Sequence, residues 1–298
     1  CMNSAVESDY RRRSDIPGAT RFVAGTSVEV IRAIRPGRAP RFALFDFDGT
    51  LSLVREGWMD VMTPMMVDVL ARTGTSESPA ALEAHCRNFI YELTGKQTIY
   101  QMIRLADEVR LRGGVPLEPL AYKQRYHDLL MERIETRREG LRGGTATAES
   151  MLVPFSIALL NGLQEHGVEL YLASGTDERY VREECDLLGL SGYFGPHIYG
   201  AQDDVRAFSK QMVIERILAD NSVEGSRLVG FGDGYVEIDN VKAAGGLAVG
   251  VASDETGRSG RPDAWKRERL IGVGADLIVP DYRDARALLD ALWNGTDV

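Results

Sequence analysis

Apolar positions change their spacing twice along the chain, and the changes mark its organisation. Arg41–Phe45 is apolar after its first residue and ends abruptly in Asp46-Phe-Asp48-Gly-Thr50. Val168–Ala173, Arg227–Phe231, Gly246–Val251 and Leu277–Val279 are similar short runs, and His197–Tyr199 is a shorter one. Continuous apolar runs of this length predict strands buried on both faces of a parallel sheet. Between them, residues with helical spacing predict helices over Leu152–Gln164, Asp177–Leu188, Lys210–Ala219, Val236–Ala244 and Ala285–Leu292. Strands alternating with helices predict an α/β fold with a doubly wound parallel sheet.

One interval breaks the alternation. From about Trp58 to Glu149 the spacing is helical throughout. Met59–Ala71 is one helix. Ala80–Leu93 is a second, with Ser78 as cap and Pro79 near its start. Thr98–Leu111 is a third, stopped by Gly113-Gly114, and Leu117–Arg138 a fourth, stopped by Gly140, Gly143 and Gly144. The chain therefore divides into a core of residues 21–54 and 150–298 and an inserted helical domain of residues 55–149. Residues 21–34 predict a short extra strand or hairpin before the breaks at Pro36-Gly37 and Pro40. Residues 1–20 are polar, with Arg11-Arg12-Arg13 and no apolar segment behind them. They read as an unstructured tail rather than a secretory signal.

The 298 residues carry a formal charge of −9, which argues against a nucleic-acid or anionic-membrane surface. No apolar run approaches the ~18 residues of a membrane span. Cys1, Cys86 and Cys185 are scattered without CxxC spacing, so they read as free thiols of a cytoplasmic protein and not as a zinc site.

In a parallel sheet the strand C-termini converge on one edge, where open α/β folds place their ligands. Four features fall there: Asp46 and Asp48 after the first strand, Ser174 after the second, Lys210 at a helix start, and Asp233 with Glu237 after a later strand. Two acids as close as Asp46 and Asp48 repel unless they share a proton or a cation. Mg²⁺ suits them, since it prefers carboxylate and phosphate oxygens. An EF-hand does not fit, because Leu51 stands where the Ca²⁺ loop requires Gly. The set supports phosphoryl transfer: one Asp attacks phosphorus, the other handles the proton, and a hydroxyl, a Lys and a metal ion hold the charge.

These residues resemble the haloacid dehalogenase-like (HAD) hydrolases. The family's Asp-x-Asp-Gly-Thr motif is similar to Asp46-Phe-Asp48-Gly-Thr50, and its strand ending in Ser or Thr resembles Leu172-Ala-Ser174-Gly175-Thr176. Its lone Lys corresponds to Lys210. Its acidic pair resembles Gly232-Asp233-Gly-Tyr-Val-Glu237, with Glu in place of the second Asp. The resemblance implies a Rossmann-like core and a Mg²⁺ cofactor, and it implies roles. Asp46 would be nucleophile and metal ligand. Asp48 would be general acid/base and give its carbonyl to the metal. Ser174 and the Gly175 N–H would bind the phosphoryl group, Lys210 would balance charge, and Asp233 and Glu237 would ligate the metal. Asp239 is a second candidate for the last ligand.

The helical insert lies where this family places a C1-type cap, with Ser52–Gly57 as the hinge. Arg55, Glu56, Trp58, Lys96 and Gln97 are the candidates for recognising the leaving group. His85, His127 and His166 lack ligand spacing and read as surface or packing residues. The second acid, Asp48, argues against a dehalogenase. The expected activity is hydrolysis of a small phosphomonoester through an aspartyl-phosphate on Asp46, with sugar phosphates among the candidate substrates. A phosphomutase of the same fold and a non-catalytic binding protein are the alternatives.

Overall fold

The computed structural model describes residues 9–296 apart from 16, 18, 20, 38 and 203. Among these, seven strands form one sheet: β1 (Glu29–Val30), β2 (Phe42–Phe45), β3 (Glu169–Asp177), β4 (Ile198–Ala201), β5 (Leu228–Gly232), β6 (Leu247–Val251) and β7 (Leu277–Val279). Their order is β1-β7-β6-β5-β2-β3-β4, parallel throughout except for β1 against β7. From β2 the chain passes to β3 on one side and later to β5 on the other. The centre of the sheet is thus the topological switch point, where a crevice opens at the strand C-termini.

Alternation along β2 explains its burial on both faces. Ala43 and Phe45 join one apolar cluster, and Phe42 and Leu44 the other. Phe45 stacks on Phe231 of β5, ring centroids 4.5 Å apart and nearly parallel.

Four helices form the insert that follows β2: α1 (Met59–Ala71), α2 (Pro79–Leu93), α3 (Thr98–Leu111) and α4 (Pro119–Arg142). The Ser78 hydroxyl caps α2 by accepting from Ala81 N. The remaining helices are α5 (Ser156–Glu165), α6 (Glu178–Leu187), α7 (Ser191–Phe194), α8 (Lys210–Asn221), α9 (Tyr235–Ala243), α10 (Ala264–Val273) and α11 (Ala285–Asn294). The outgoing and returning linkers of the four-helix insert pair with each other. Ser52 bridges Leu152 antiparallel, Leu53 N donates to Met151 O at 2.8 Å, and Val153 N donates to Leu51 O at 2.9 Å.

Several expectations are corrected. The helix predicted from Leu152 starts at Ser156, because Leu152 belongs to that linker ladder and Phe155 takes a left-handed turn at φ 65°. The fourth insert helix runs through Gly140 to Arg142 and stops at Gly143. β3 continues through Ser174 to Asp177, with a register shift against β4, so Ser174 lies within the strand. Helix α10 was not expected at all. Nor is the whole of 1–20 a loose tail. Arg13 and Ser14 N–H groups donate to Gly272 O (2.7 and 3.0 Å), Tyr10 packs edge-on against Tyr235, and Asp9 pairs with Lys96 at 2.7 Å. Residues 1–8 lie outside the described residues. Cys86 and Cys185 are buried free thiols, and Cys1 also lies outside the described residues. Among the described residues no helix is long and apolar enough to cross a membrane.

Candidate active site

Register places the strand ends side by side: Phe45 stands opposite Leu172 of β3 and Phe231 of β5. One or two residues further on, each strand delivers a polar group. Asp46, Asp48, Ser174, Gly175, Thr176, Lys210 and Asp233 line one cavity at this edge.

The Asp48-Gly49-Thr50 turn is held by Phe47 O, which accepts from Leu51 N and Ser52 N, both at 2.9 Å. Gly49 turns at φ +72°, and a Cβ there would fall 2.2 Å from Asp233 Oδ2, so glycine is required on both counts. Asp233 N donates to Thr50 Oγ1 at 3.0 Å, which ties the two acidic loops together. The Tyr282 hydroxyl fastens the same turn by donating to Thr50 O at 2.9 Å.

Lys210 is the first residue of α8, whose start is fixed by Ser209 Oγ accepting from Met212 N. Its ammonium, 1% exposed, donates to Asp46 Oδ1 at 2.8 Å and Glu237 Oε2 at 2.7 Å. Burial opposes its charge, but the two carboxylates outweigh burial and raise its pKa above the usual lysine range. For Asp46 burial is the largest influence and pushes the carboxyl up. Lys210 opposes it, and Glu237 and Asp233 add to it.

Asp48 is held differently. The Thr176 hydroxyl donates to its Oδ2 at 2.9 Å, and Arg55 Nε stands 3.7 Å from Oδ1, which is buried and makes no hydrogen bond to the described residues. Burial pushes this carboxyl up to about 7; Arg55 works against that and Glu184 with it. A carboxyl near 7 is suited to give and take a proton at neutral pH. Ser174 is 1% exposed, and its hydroxyl accepts from Thr176 N at 3.1 Å.

Oxygens of Asp46, Asp233 and Glu237 lie within 4.8 Å of one another. An all-carboxylate donor set with excess negative charge suits a hard cation such as Mg²⁺. Glu237 belongs to this trio although Oε1 also accepts from Gly234 N at 2.6 Å. Asp239 does not belong: its carboxylate pairs with the Arg13 guanidinium at 2.9 and 3.0 Å. Of the two candidates for the last ligand, Glu237 is therefore the one that stands in the carboxylate cluster.

The insert supplies the cavity's other wall, but its five candidate residues part company. Arg55 lines the cavity while forming a bidentate pair with Glu184 (2.7 and 3.1 Å), a residue 0% exposed. Glu56 and Trp58 also line it, with Glu56 held by Arg137 at 2.6 Å and Thr256 at 2.8 Å. Lys96 lines it but pairs its ammonium with Asp9. Gln97 turns away and donates to Phe208 O at 2.8 Å, two residues before Lys210. Backbone contact with the core is close: a Cβ on Gly175 would fall 2.9 Å from Lys96 O, and one on Gly95 would fall 3.2 Å from Tyr235 N.

Sequence reasoning missed Thr176, Glu184, Glu255 and Lys266. Thr176 stood in the Ser-Gly-Thr motif and was the readable one. The others are charged residues that only the fold brings near the site.

The crevice at the switch point thus gathers carboxylates from adjacent strands of an α/β sheet, where open α/β folds place their ligands. A model of the haloacid dehalogenase-like hydrolase family matches residues 41–245, more than half of the chain, and the protein belongs to that family. No curated protein gives a significant match. Solved structures share the fold. A haloacid dehalogenase-like protein of unknown function from Agrobacterium tumefaciens is 19% identical over 85% of this chain and 99% of its own, with a TM-score of 0.54. A predicted phosphoglycolate phosphatase from Haemophilus somnus is 14% identical over 84% and 97%, also with a TM-score of 0.54. A HAD hydrolase of family IA, variant 3, from Entamoeba histolytica is 16% identical over 85% and 99%, with a TM-score of 0.55.

Proposed function

We propose that the protein is a Mg²⁺-dependent phosphatase that hydrolyses a small phosphomonoester through an aspartyl-phosphate on Asp46. The observation that carries this reading is the meeting of Asp46, Asp48, Ser174, Lys210 and Asp233 in one cavity. Asp46 Oδ2 attacks phosphorus while Oδ1 stays on Lys210, whose ammonium limits the charge on the nucleophile. Asp48, once protonated, gives its proton to the leaving oxygen and then takes one from water. The Ser174 hydroxyl and the Gly175 N–H hold phosphoryl oxygens. Asp46, Asp233 and Glu237, with the Asp48 carbonyl, would hold a metal ion, which would neutralise phosphoryl charge.

In this reading residues 55–149 are a C1-type cap on the core of 21–54 and 150–298. The contacts of Gly95 with the Gly234 loop, and of the Lys96 backbone with Gly175, support a closed cap that keeps water from the phosphoenzyme. Arg55, Glu56 and Trp58 face the leaving group from the cap side; Lys96 and Gln97 fix the cap's position.

Phosphate release from a panel of phosphomonoesters, with and without Mg²⁺, tests the proposal. Release that needs Mg²⁺ and is lost in Asp46→Asn supports it. Isomerised sugar phosphate without net release would give the site to a phosphomutase instead. Equal rates from wild type and Asp46→Asn would remove the nucleophile assignment.

A further inference from the structure

A second buried lysine stands behind the site and has no part in the scheme above. Lys266 Nζ is 2.8 Å from Asp233 Oδ2, 2.6 Å from Glu255 Oε1 and 3.1 Å from Ser253 Oγ. An ammonium has three N–H groups, and here all three have acceptors. Ser253 in turn donates its own hydroxyl to Gly49 O at 2.6 Å. One cation therefore joins the Asp233 loop, the Glu255 loop and the turn that carries Asp48.

Its place in the helix sharpens the point. α10 begins after its cap Asp263, whose Oδ1 accepts from Lys266 N at 2.8 Å. A cation in the first turn of a helix lies at the positive end of the helix dipole, where it is disfavoured. The side chain is only 12% exposed, so burial adds to that cost. Both are offset by the two carboxylates it meets. Lys266 does not line the cavity, although Asp233 and Glu255 do.

We propose that Lys266 is the positioning residue for Asp233. It anchors that carboxylate through Oδ2, so the trio is set for a divalent cation before one arrives. Partners that orient metal ligands from behind commonly govern affinity by 10–100-fold. The inference rests on the reading of Asp46, Asp233 and Glu237 as a cation site.

The test is calorimetric titration of the full chain with MgCl₂, without substrate. Lys266→Gln is expected to bind Mg²⁺ about tenfold more weakly than wild type. In an Asp233→Asn background the same substitution should change nothing further, which a purely structural role would not produce. Ser253→Ala keeps the ammonium but removes one of its acceptors, and should weaken binding in the same direction. It serves as the test should Lys266→Gln fail to fold. Unchanged or tighter Mg²⁺ binding in these variants overturns the inference, and tighter binding would mean that Lys266 competes with the metal. Absence of Mg²⁺ binding in wild type overturns the cation-site reading and this inference with it.

Discussion

The Asp233 amide and the Thr50 hydroxyl form a hydrogen bond of 3.0 Å that closes the gap between two loops 183 residues apart in sequence. Thr50 is fully buried, and its carbonyl accepts from Tyr282. Thr50→Val keeps the shape and removes the acceptor, leaving a donor without a partner. Urea unfolding should show a loss of about 1–3 kcal/mol, with Thr50→Ser close to wild type. Equal losses in both would mean that packing, not the bond, fixes the loops.

Lys210 is shared by two buried carboxylates, so Lys210→Met leaves both Asp46 and Glu237 without their cation. Breaking a buried pair from one side costs about 3–5 kcal/mol. A fall of that size in unfolding free energy is expected, with phosphate release reduced at least about 100-fold. Retention of both would show that the pair is dispensable.

Gly95 combines φ +102° with a backbone contact to the Gly234–Tyr235 turn. Gly95→Ala must lift the insert's loop from the core, and strained backbone of this kind costs about 1–3 kcal/mol. Activity should fall by about tenfold or more. Gly74→Ala is the control: its φ is +78°, but nothing lies within 4 Å of the new Cβ, so it should lose stability without losing activity. Parallel losses of activity in both variants would refute the role of the contact.

His127 stacks on Tyr180 with ring centroids 4.0 Å apart, and burial lowers its pKa from 6.5 to about 4. Between those values the unfolded chain binds a proton that the folded chain does not. Stability therefore falls as pH drops from 6.5 towards 4, and is unaffected by this group above that window. His127→Phe keeps the stack and removes the titration, so its urea midpoint should fall less steeply over the same range. Identical slopes for the two proteins would contradict the assignment.

The candidate site's polar edge was legible because its residues sit near strand ends that the apolar runs announce. Asp46, Asp48, Ser174, Lys210 and Asp233 are each within three residues of such an end or of a helix start, and the parallel sheet brings those ends to one edge. α1 and α3 were equally plain, since apolar residues recur at helical spacing and Gly113-Gly114 marks a stop. Helix α10 was hidden by composition. Its Ala264–Val273 stretch carries Lys266, Arg267, Glu268 and Arg269 in succession after Ala264-Trp265 and follows a loop with several Gly, Ser and Pro residues. The pairs that shape the site were hidden for another reason. Arg55 meets Glu184 across 129 positions, and Lys266 meets Asp233 only because α10 packs behind β6 and β7. Periodicity describes one element at a time and carries no information on such partners. The same limit explains Tyr10 and Arg13: a polar segment binds the core through a few specific contacts without any repeating pattern.

The paired linkers at Ser52–Leu53 and Met151–Val153 have a consequence for how such a chain can be rebuilt. Residues nearly a hundred positions apart emerge from the sheet as hydrogen-bonded neighbours. A short turn joining Leu53 to Met151 would thus close the sheet's covalent path with the whole helical segment removed. The segment is bounded like a module whose ends already touch, so a different one could be spliced at the same two points without disturbing the register of β2 and β3. The two walls of the cavity thus come from lengths of chain that can be exchanged separately.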